Sequence, residues 1–359
     1  MKQKHSRRLI RIFKPQPLRH RPAVTVVIPH YNYGQYLPVA VSSALDQTGV
    51  DIEIIIVDDS STDGSIEVAR RLAAQDDRIT LVEHPENMRH IRTYNDGLSR
   101  ATGDYVVLLS ADDALTSNSL TRAVALMEAH PEVGLVYGAV EWFRGDLPPV
   151  KAGPVWWKIW PGEEWLRRSV RCGRNSIANP EVVMRRSVYE KTGGYDPDFP
   201  HAADMYMWLQ AASFADVGFV GGSRQAYYRD HGQNMHSTEF AGATDDMTQV
   251  RDVYERFFAR DGARLPSASR WLERSKRSVA REALLRAALL ESTGSSHASA
   301  VALREFAQET CPQVVGSGAW RWTGLASRDT GLFGSRRLVR LVEGVRWKIR
   351  SRRQAAMGL

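Results

Sequence analysis

The sequence is poor in cysteine and holds no long apolar run. Two cysteines in 359 residues, Cys172 and Cys311, are too few for a disulfide scaffold. They also lack metal-ligand spacing, so a reducing compartment is the default. No apolar stretch approaches the ~18 residues that a membrane-crossing helix needs. The N-terminal residues are charged and lack the apolar segment of a secretory signal, and a cytoplasmic location is therefore expected. Neither G-x-G-x-x-G nor a P-loop stands in the first strand-to-helix turn, which counts against a nucleotidyltransferase built on a glycine-rich phosphate cradle. Internal repeats are absent as well.

Net positive charge is absent from the body of the chain. The formal net charge of +7 divides into +8 on residues 1–22, +7 on residues 335–353 and −8 on the remainder. A nucleic-acid binder should carry its positive charge along a folded face, so no nucleic-acid partner is expected. Basic ends on an acidic body fit peripheral contact with an anionic membrane, on the inner face of the cell membrane for a cytoplasmic protein. In the C-terminal stretch Leu338, Leu341, Val342, Val345 and Ile349 share one helical face, with Arg336, Arg340 and Arg350 opposite. Two readings of this helix stay open, one lying on a membrane surface and one docked on the body.

What is present is an alternation of strand and helix over about a hundred residues, the pattern of a mostly parallel α/β sheet. Strands are expected at Val24–Pro29, Ile52–Asp58, Ile79–Glu83, Tyr105–Leu109 and Val133–Tyr137. Helices are expected at Tyr36–Gln47, from a cap at Ser61–Asp63 through Ala74, at His90–Ala101, and at Ser117–His130 with Asn118 or Ser117 as its cap. After Val140 the rhythm breaks. Residues 145–165 carry Gly, Pro and four of the ten tryptophans, and read as a long irregular loop of the kind that is more often functional than structural. A helix near 201–214 and short strands near 217–230 follow. From Thr244 onward the pattern is helical and charged. The expected division is a basic leader (1–22), a domain over 23–240 with halves 23–140 and 141–240, and a helical extension over 241–359.

Chemistry gathers at the strand ends. Pro29-His30-Tyr31-Asn32, Asp58-Asp59-Ser60-Ser61 and Asp112-Asp113 each follow a predicted strand, and ligands of open α/β sheets bind outside those carboxyl ends. Tyr31 offers a flat face for stacking a base, and Asp59 accepts from ring N–H groups. Adjacent carboxylates at Asp112 and Asp113 repel unless a cation lies beside them, and a divalent metal carrying phosphate oxygens is the simplest such cation. The same acids also fit helix-cap and turn chemistry.

The segments Val24-Thr-Val-Val-Ile-Pro-His-Tyr-Asn32, Ile55-Ile-Val-Asp-Asp-Ser-Ser-Thr-Asp-Gly-Ser65, Ala101-Thr-Gly-Asp-Tyr105, Ser110-Ala-Asp-Asp113, Gly193-Gly-Tyr-Asp196 and Ala203-Asp-Met-Tyr-Met-Trp-Leu209 resemble, in this order, the family 2 inverting glycosyltransferases. The likeness spans roughly residues 24–232. It implies a GT-A fold, in which a Rossmann-like sheet is flanked by helices, and a hexosyltransferase-type enzyme. Such an enzyme moves a sugar from a nucleotide-diphosphate donor, UDP-linked by preference, with Mn²⁺ or Mg²⁺. The acceptor would be a saccharide or a lipid-linked saccharide, in cell-surface polysaccharide assembly.

Carried over by position, the resemblance implies that Pro29, Tyr31 and Asp59 hold the nucleobase and that Asp112 meets ribose or metal. Asp113 would ligate the metal, His231 the metal or the diphosphate, and Asp204 would be the catalytic base at the dipole-stabilised start of a helix. Two departures stand out. Ser110 replaces the first acid of a usual acidic triplet. Tyr94 stands where an arginine is expected, with Arg89 and Arg92 as candidate substitutes at the nucleotide. Trp157, Trp160 and Tyr195 are the acceptor-side candidates, although the tryptophans fit core packing equally well. The rival to an active enzyme is a silent nucleotide-sugar binder or assembly partner.

Overall fold

The β-branched runs at 23–30 and 51–58 divide their side chains between two cores. Ile54 and Ile56 join one buried cluster while Ile55 and Val57 join another. A strand alternates its side chains between faces, so a continuous apolar run marks a strand covered on both sides. A computed structural model of the chain describes residues 11–149, 153–232 and 242–326, together with 341, 342 and 344. The basic leader before Arg11 lies outside the described residues, as does the tail helix apart from those three positions.

The described strands are β1 (Arg11–Phe13), β2 (Ala23–His30), β3 (Asp51–Asp58), β4 (Ile79–Glu83), β5 (Tyr105–Leu108), β6 (Ala114–Leu115), β7 (Val133–Tyr137), β8 (Val140–Phe143), β9 (Trp156–Trp160), β10 (Val183–Arg185), β11 (Asp216–Gly221) and β12 (Ala226–Arg229). Nine of them form one sheet in the order β1-β9-β11-β7-β10-β5-β2-β3-β4, and β6-β12-β8 form a second, small sheet. In the large sheet β9 and β10 run against all the others, and the rest are parallel, as the alternating pattern predicts. Arg11–Phe13, within the stretch expected as a leader, pairs with β9 at the sheet edge.

The helices are α1 (Leu37–Leu45), α2 (Ser65–Gln75), α3 (His90–Ser99), α4 (Ser119–Ala129), α5 (Gly162–Cys172), α6 (Arg186–Thr192), α7 (Ala203–Phe214), α8 (Asp245–Ala259), α9 (Ala268–Thr293), α10 (His297–Thr310) and α11 (Gly318–Ala326). α1 and α4 cover one face of the sheet, with Leu37, Val41, Leu120 and Leu126 buried there. The other face is covered by α3, α5 and α7, and the C-terminal helices join the same cluster through Met247, Val253, Phe257 and Val279. α3 lies close on the sheet because Gly97 faces it. A Cβ there would stand 2.4 Å from Cγ1 of Val27.

Three local expectations are corrected. α2 starts at Ser65, after a left-handed Gly64, rather than at Ser61–Asp63. Asp63 Oδ1 accepts from Ser65 N at the helix start (3.0 Å), and the other cap-type side chains bond across the loops. Ser61 Oγ accepts from Asn32 N (3.0 Å), Asn32 Oδ1 from Thr62 N (2.8 Å) and Ser65 Oγ from Gly34 N (2.8 Å). At the start of α4, Asn118 accepts from Thr48 Oγ1 rather than capping the helix. The irregular loop expected at 145–165 holds β9, a strand between β1 and β11. Its residues Trp-Trp-Lys-Ile-Trp show no polar alternation because both of its faces are buried.

Candidate active site

A cleft of about 1240 Å³ opens outside the carboxyl ends of β2, β3 and β5. Pro29, Tyr31, Asp59, Arg89, Ser110, Asp112, Asp113, Tyr195 and Asp204 all line it. Their separation in sequence is bridged by parallel strands whose ends point the same way. Non-glycine residues take left-handed backbone at Asn32, Ser60 and Arg89, with φ of 56°, 64° and 68°. Such strain persists only where surrounding bonds over-determine it, and it concentrates at functional loops.

Asp59 is buried and its Oδ1 takes two donors, His84 Nδ1 at 2.9 Å and Met88 N at 2.8 Å. Oδ2 takes no hydrogen bond among the described residues. The other ring nitrogen of His84 donates to Asp96 Oδ2 at 3.1 Å. Burial alone would lower the His84 pKa, but its two carboxylate partners outweigh it and the net shift is upward. Set between two carboxylates, the His84 ring holds Asp59 in one orientation. Tyr31 is 42% exposed beside it.

Asp112 and Asp113 are both buried at the cleft wall. Burial, and then repulsion by Asp112, raise the Asp113 carboxyl well above the usual carboxylate range. The cation nearby is Arg229 on β12. Its backbone N donates to Asp113 Oδ1 (3.0 Å), its Nε to Asp112 O (2.9 Å), and its guanidinium lies over the rings of Tyr36 and Phe143. His231 Nε2 stands 3.0 Å from Asp112 Oδ2 and its ring stacks on Tyr36.

This donor set suits a hard divalent ion. Two crowded buried carboxylates, one of them destabilised as an anion, gain from a cation that oxygen ligands can hold. Among the described residues no group of three His, Cys, Asp or Glu side chains forms a complete cage. A metal that shares its sphere with phosphate oxygens needs only one or two protein carboxylates.

Asp204, in the first turn of α7, also lines the cleft and is half-buried. Asn175 Nδ2 donates to its Oδ2 at 2.7 Å and Met205 N to its Oδ1 at 2.7 Å. Burial pushes its pKa up to about 6, against the opposing pull of those two donors and of His201. Desolvation is thus the larger effect at this helix start and outweighs the support that the dipole and the two donors give the ionised form. The segment before it is clamped by a reciprocal pair. Asn95 Nδ2 donates to Tyr195 O and Tyr195 N donates to Asn95 Oδ1, each at 2.8 Å. Tyr195 OH is engaged with Asn179 Oδ1 at 2.9 Å.

Three candidates fall away. Trp157 and Trp160 are both 0% exposed, one in each core of the large sheet. Side chains three apart on β9 point to opposite faces, so neither forms an acceptor platform. Arg92 is exposed and does not line the cleft. His90, Ile91, Thr93 and Tyr94 occupy the cleft face of α3, and at about 100° per residue Arg92 falls on the opposite side.

Residues not singled out from the sequence include Asn175, His84 and Arg229. Arg229 had a signal, since it stands two residues from His231 in Tyr228-Arg-Asp-His231. His84 and Asn175 lie in irregular segments where periodicity says nothing.

Residues 25–193 match the description Glycosyl transferase family 2. The chain is 31% identical over 231 residues to the uncharacterized glycosyltransferase alr2836 of Nostoc sp., covering 62% of this chain and 69% of that protein. It is 37% identical over 210 residues to the putative glycosyltransferase EpsE of Bacillus subtilis, covering 56% and 69%. In fold it is similar to the mannosyltransferase PcManGT from Pyrobaculum calidifontis, solved in complex with GDP-Man and Mn²⁺, with a TM-score of 0.57, 20% identity and coverage of 93% and 89%. It is also similar to S. aureus TarS 1-349 in complex with UDP-GlcNAc, with a TM-score of 0.54, 16% identity and coverage of 81% and 92%. The architecture is the GT-A fold that the sequence predicts.

Proposed function

The chain belongs to glycosyl transferase family 2 and is a glycosyltransferase, and from that premise we propose a metal-dependent, inverting transfer from a nucleotide-diphosphate sugar, UDP-linked by preference, to a saccharide or lipid-linked saccharide in cell-surface polysaccharide assembly. The observation that carries this reading is one cleft lined by Asp59, the Asp112–Asp113 pair and Asp204.

In this reading the free oxygen of Asp59 accepts from the nucleobase while Tyr31 covers its face. Pro29 and Arg89 border the nucleotide, and Asp112 meets the ribose. Asp113, with Asp112 and His231, would hold Mn²⁺ or Mg²⁺, which when bound supplies charge neutralisation for the diphosphate leaving group. Asp204 takes the proton of the acceptor hydroxyl as its oxygen bonds to the anomeric carbon. The carbon–oxygen bond to the diphosphate breaks in the same step and its electron pair leaves with the phosphate oxygen. One base suffices for a single displacement with inversion. A carboxylate with a pKa of about 6 is a stronger base than an ordinary aspartate and is still ionised at neutral pH.

PcManGT was solved with GDP-Man and Mn²⁺ and TarS with UDP-GlcNAc, which supports a sugar nucleotide as donor and a divalent metal as partner. Among the described residues no helix is long and apolar enough to cross a membrane, and the basic ends are proposed to make peripheral contact with an anionic surface.

A panel of UDP-, GDP- and dTDP-sugars, screened for thermal stabilisation with and without Mn²⁺, tests the donor, because a ligand that binds the folded state raises its melting temperature. The stabilising donor should then be hydrolysed slowly, and the anomer of the transferred sugar, read by NMR, should be inverted. Stabilisation without any turnover would turn the reading to a silent sugar-nucleotide binder.

A further inference from the structure

Trp142 on β8 is 59% exposed, an unusual setting for the largest apolar side chain. An exposed apolar residue alone needs no explanation. What sets Trp142 apart is its place on the cleft wall and the ring behind it. Trp142 and Tyr228 are register partners on the parallel strands β8 and β12. Their ring centroids lie 4.2 Å apart at 40°. Alternation along β8 sends Val140 and Trp142 to the cleft and Phe143 into the packing around Arg229.

Tyr228 also lines the cleft. Burial raises its phenol, and Asp113, Asp112 and Asp204 raise it further. It therefore sits in the combined field of the acid pair and Asp204. Trp142 continues that wall outward. Tyr31, the exposed aromatic proposed for the nucleobase, follows β2 in the large sheet, whereas Trp142 and Tyr228 stand on the three-stranded sheet.

We infer that Trp142, backed by Tyr228, is the stacking platform for a neutral saccharide acceptor, holding the sugar ring next to the one whose hydroxyl faces Asp204. This rests on the transferase reading above. The apolar face of a pyranose fits an indole, and its equatorial hydroxyls need hydrogen-bonding groups at the rim. Arg224 lines the cleft, and its Nε donates to Glu141 Oε2 at 2.8 Å, on the face of β8 away from Trp142. Arg224 thus offers N–H donors to the cleft with its charge offset by Glu141, which favours an uncharged sugar over a phosphate or carboxylate group.

The probes are cellobiose, lactose, N,N′-diacetylchitobiose and α-1,6-mannobiose. Each is titrated against intrinsic tryptophan fluorescence and against turnover of the donor found in the thermal screen. At least one disaccharide should quench the wild-type emission and accelerate nucleotide release. In Trp142→Ala the quench should vanish and the saccharide KM should rise about tenfold, the size of one aromatic stacking contact. The affinity for UDP should change by less than about twofold, as expected for a separate subsite. Trp142→Phe should recover part of the loss. Unchanged quenching and KM in Trp142→Ala would overturn the inference, and so would a loss that falls on UDP affinity. Failure of every disaccharide to perturb the wild type would overturn it too. A wild type that binds disaccharide through Trp142 and hydrolyses no donor would instead count against the transferase reading alone.

Discussion

Asn175 Nδ2 and Asp204 Oδ2 are 2.7 Å apart, a hydrogen bond between an irregular segment and the first turn of α7. The donor favours the ionised carboxylate, while burial favours the neutral acid and wins, leaving the pKa at about 6. The proposed base is thus poised close to neutrality by two opposed effects.

The pH profile follows from that balance. A base must be ionised to work, so transfer should fall about tenfold per pH unit below about 6 and level off above it. Asn175→Ala removes a donor that lowers the pKa, and its acidic limb should shift to higher pH. Asp204→Asn should lose about 10²–10⁴-fold in turnover at pH 7.5 with the donor still bound. Full transfer by Asp204→Asn would exclude it as the base.

For the acid pair the prediction concerns stability. Asp113 has a folded-state pKa raised by burial and by Asp112. Its neutral form is therefore favoured in the fold, and stability is lost as pH rises through that raised value. Asp113→Asn should melt higher than the wild type at neutral pH without metal. Saturating Mn²⁺ with donor at a hundred times Kd should add about 2.7 kcal/mol to the wild type and little to the variant. Equal stabilisation of both proteins in a thermal-shift titration would remove Asp113 from the metal site.

The backbone N of Arg229 donates to Asp113 Oδ1, and its guanidinium donates to Asp112 O and Gly145 O. Arg229→Met should cost about 1–3 kcal/mol in urea unfolding, because the carbonyls of Asp112 and Gly145 lose their guanidinium donor. Arg229→Lys should restore little, since an ammonium cannot reproduce the planar fork or its place over Tyr36 and Phe143.

The discarded candidates make an opposite prediction. Trp157→Ala and Trp160→Ala should each lose about 3–5 kcal/mol of stability. Arg92→Ala should stay within about 0.5 kcal/mol of the wild type and keep its donor affinity. A folded, stable Trp160→Ala with altered acceptor preference would contradict the burial of that ring.

Much of the first half of the chain was legible because its signals are local. Ile79–Glu83 and Val133–Tyr137 match the expected strands at both ends, and His90–Ser99 falls within its expected helix. Acids at strand ends could be placed on one cleft because parallel strands share a direction. Legibility failed where a residue's role depends on what covers it. Trp157 and Trp160 read equally as platform or core, and only the neighbours of β9 distinguish the two. Trp142 lacked any neighbouring motif, yet it is the tryptophan that faces the cleft.

By itself, then, the order of apolar and polar residues determined the α/β alternation, the parallel sheet and the candidate acids at its strand ends. Those follow from backbone periodicity and turn chemistry, which act over a few residues. Tertiary structure alone decided which aromatic is exposed, that Asp204 is desolvated to a pKa of about 6, and that Arg229 stands beside Asp112 and Asp113. Burial and charge proximity are properties of contacts across more than a hundred residues, such as Arg229 with Asp113, and no local pattern encodes them.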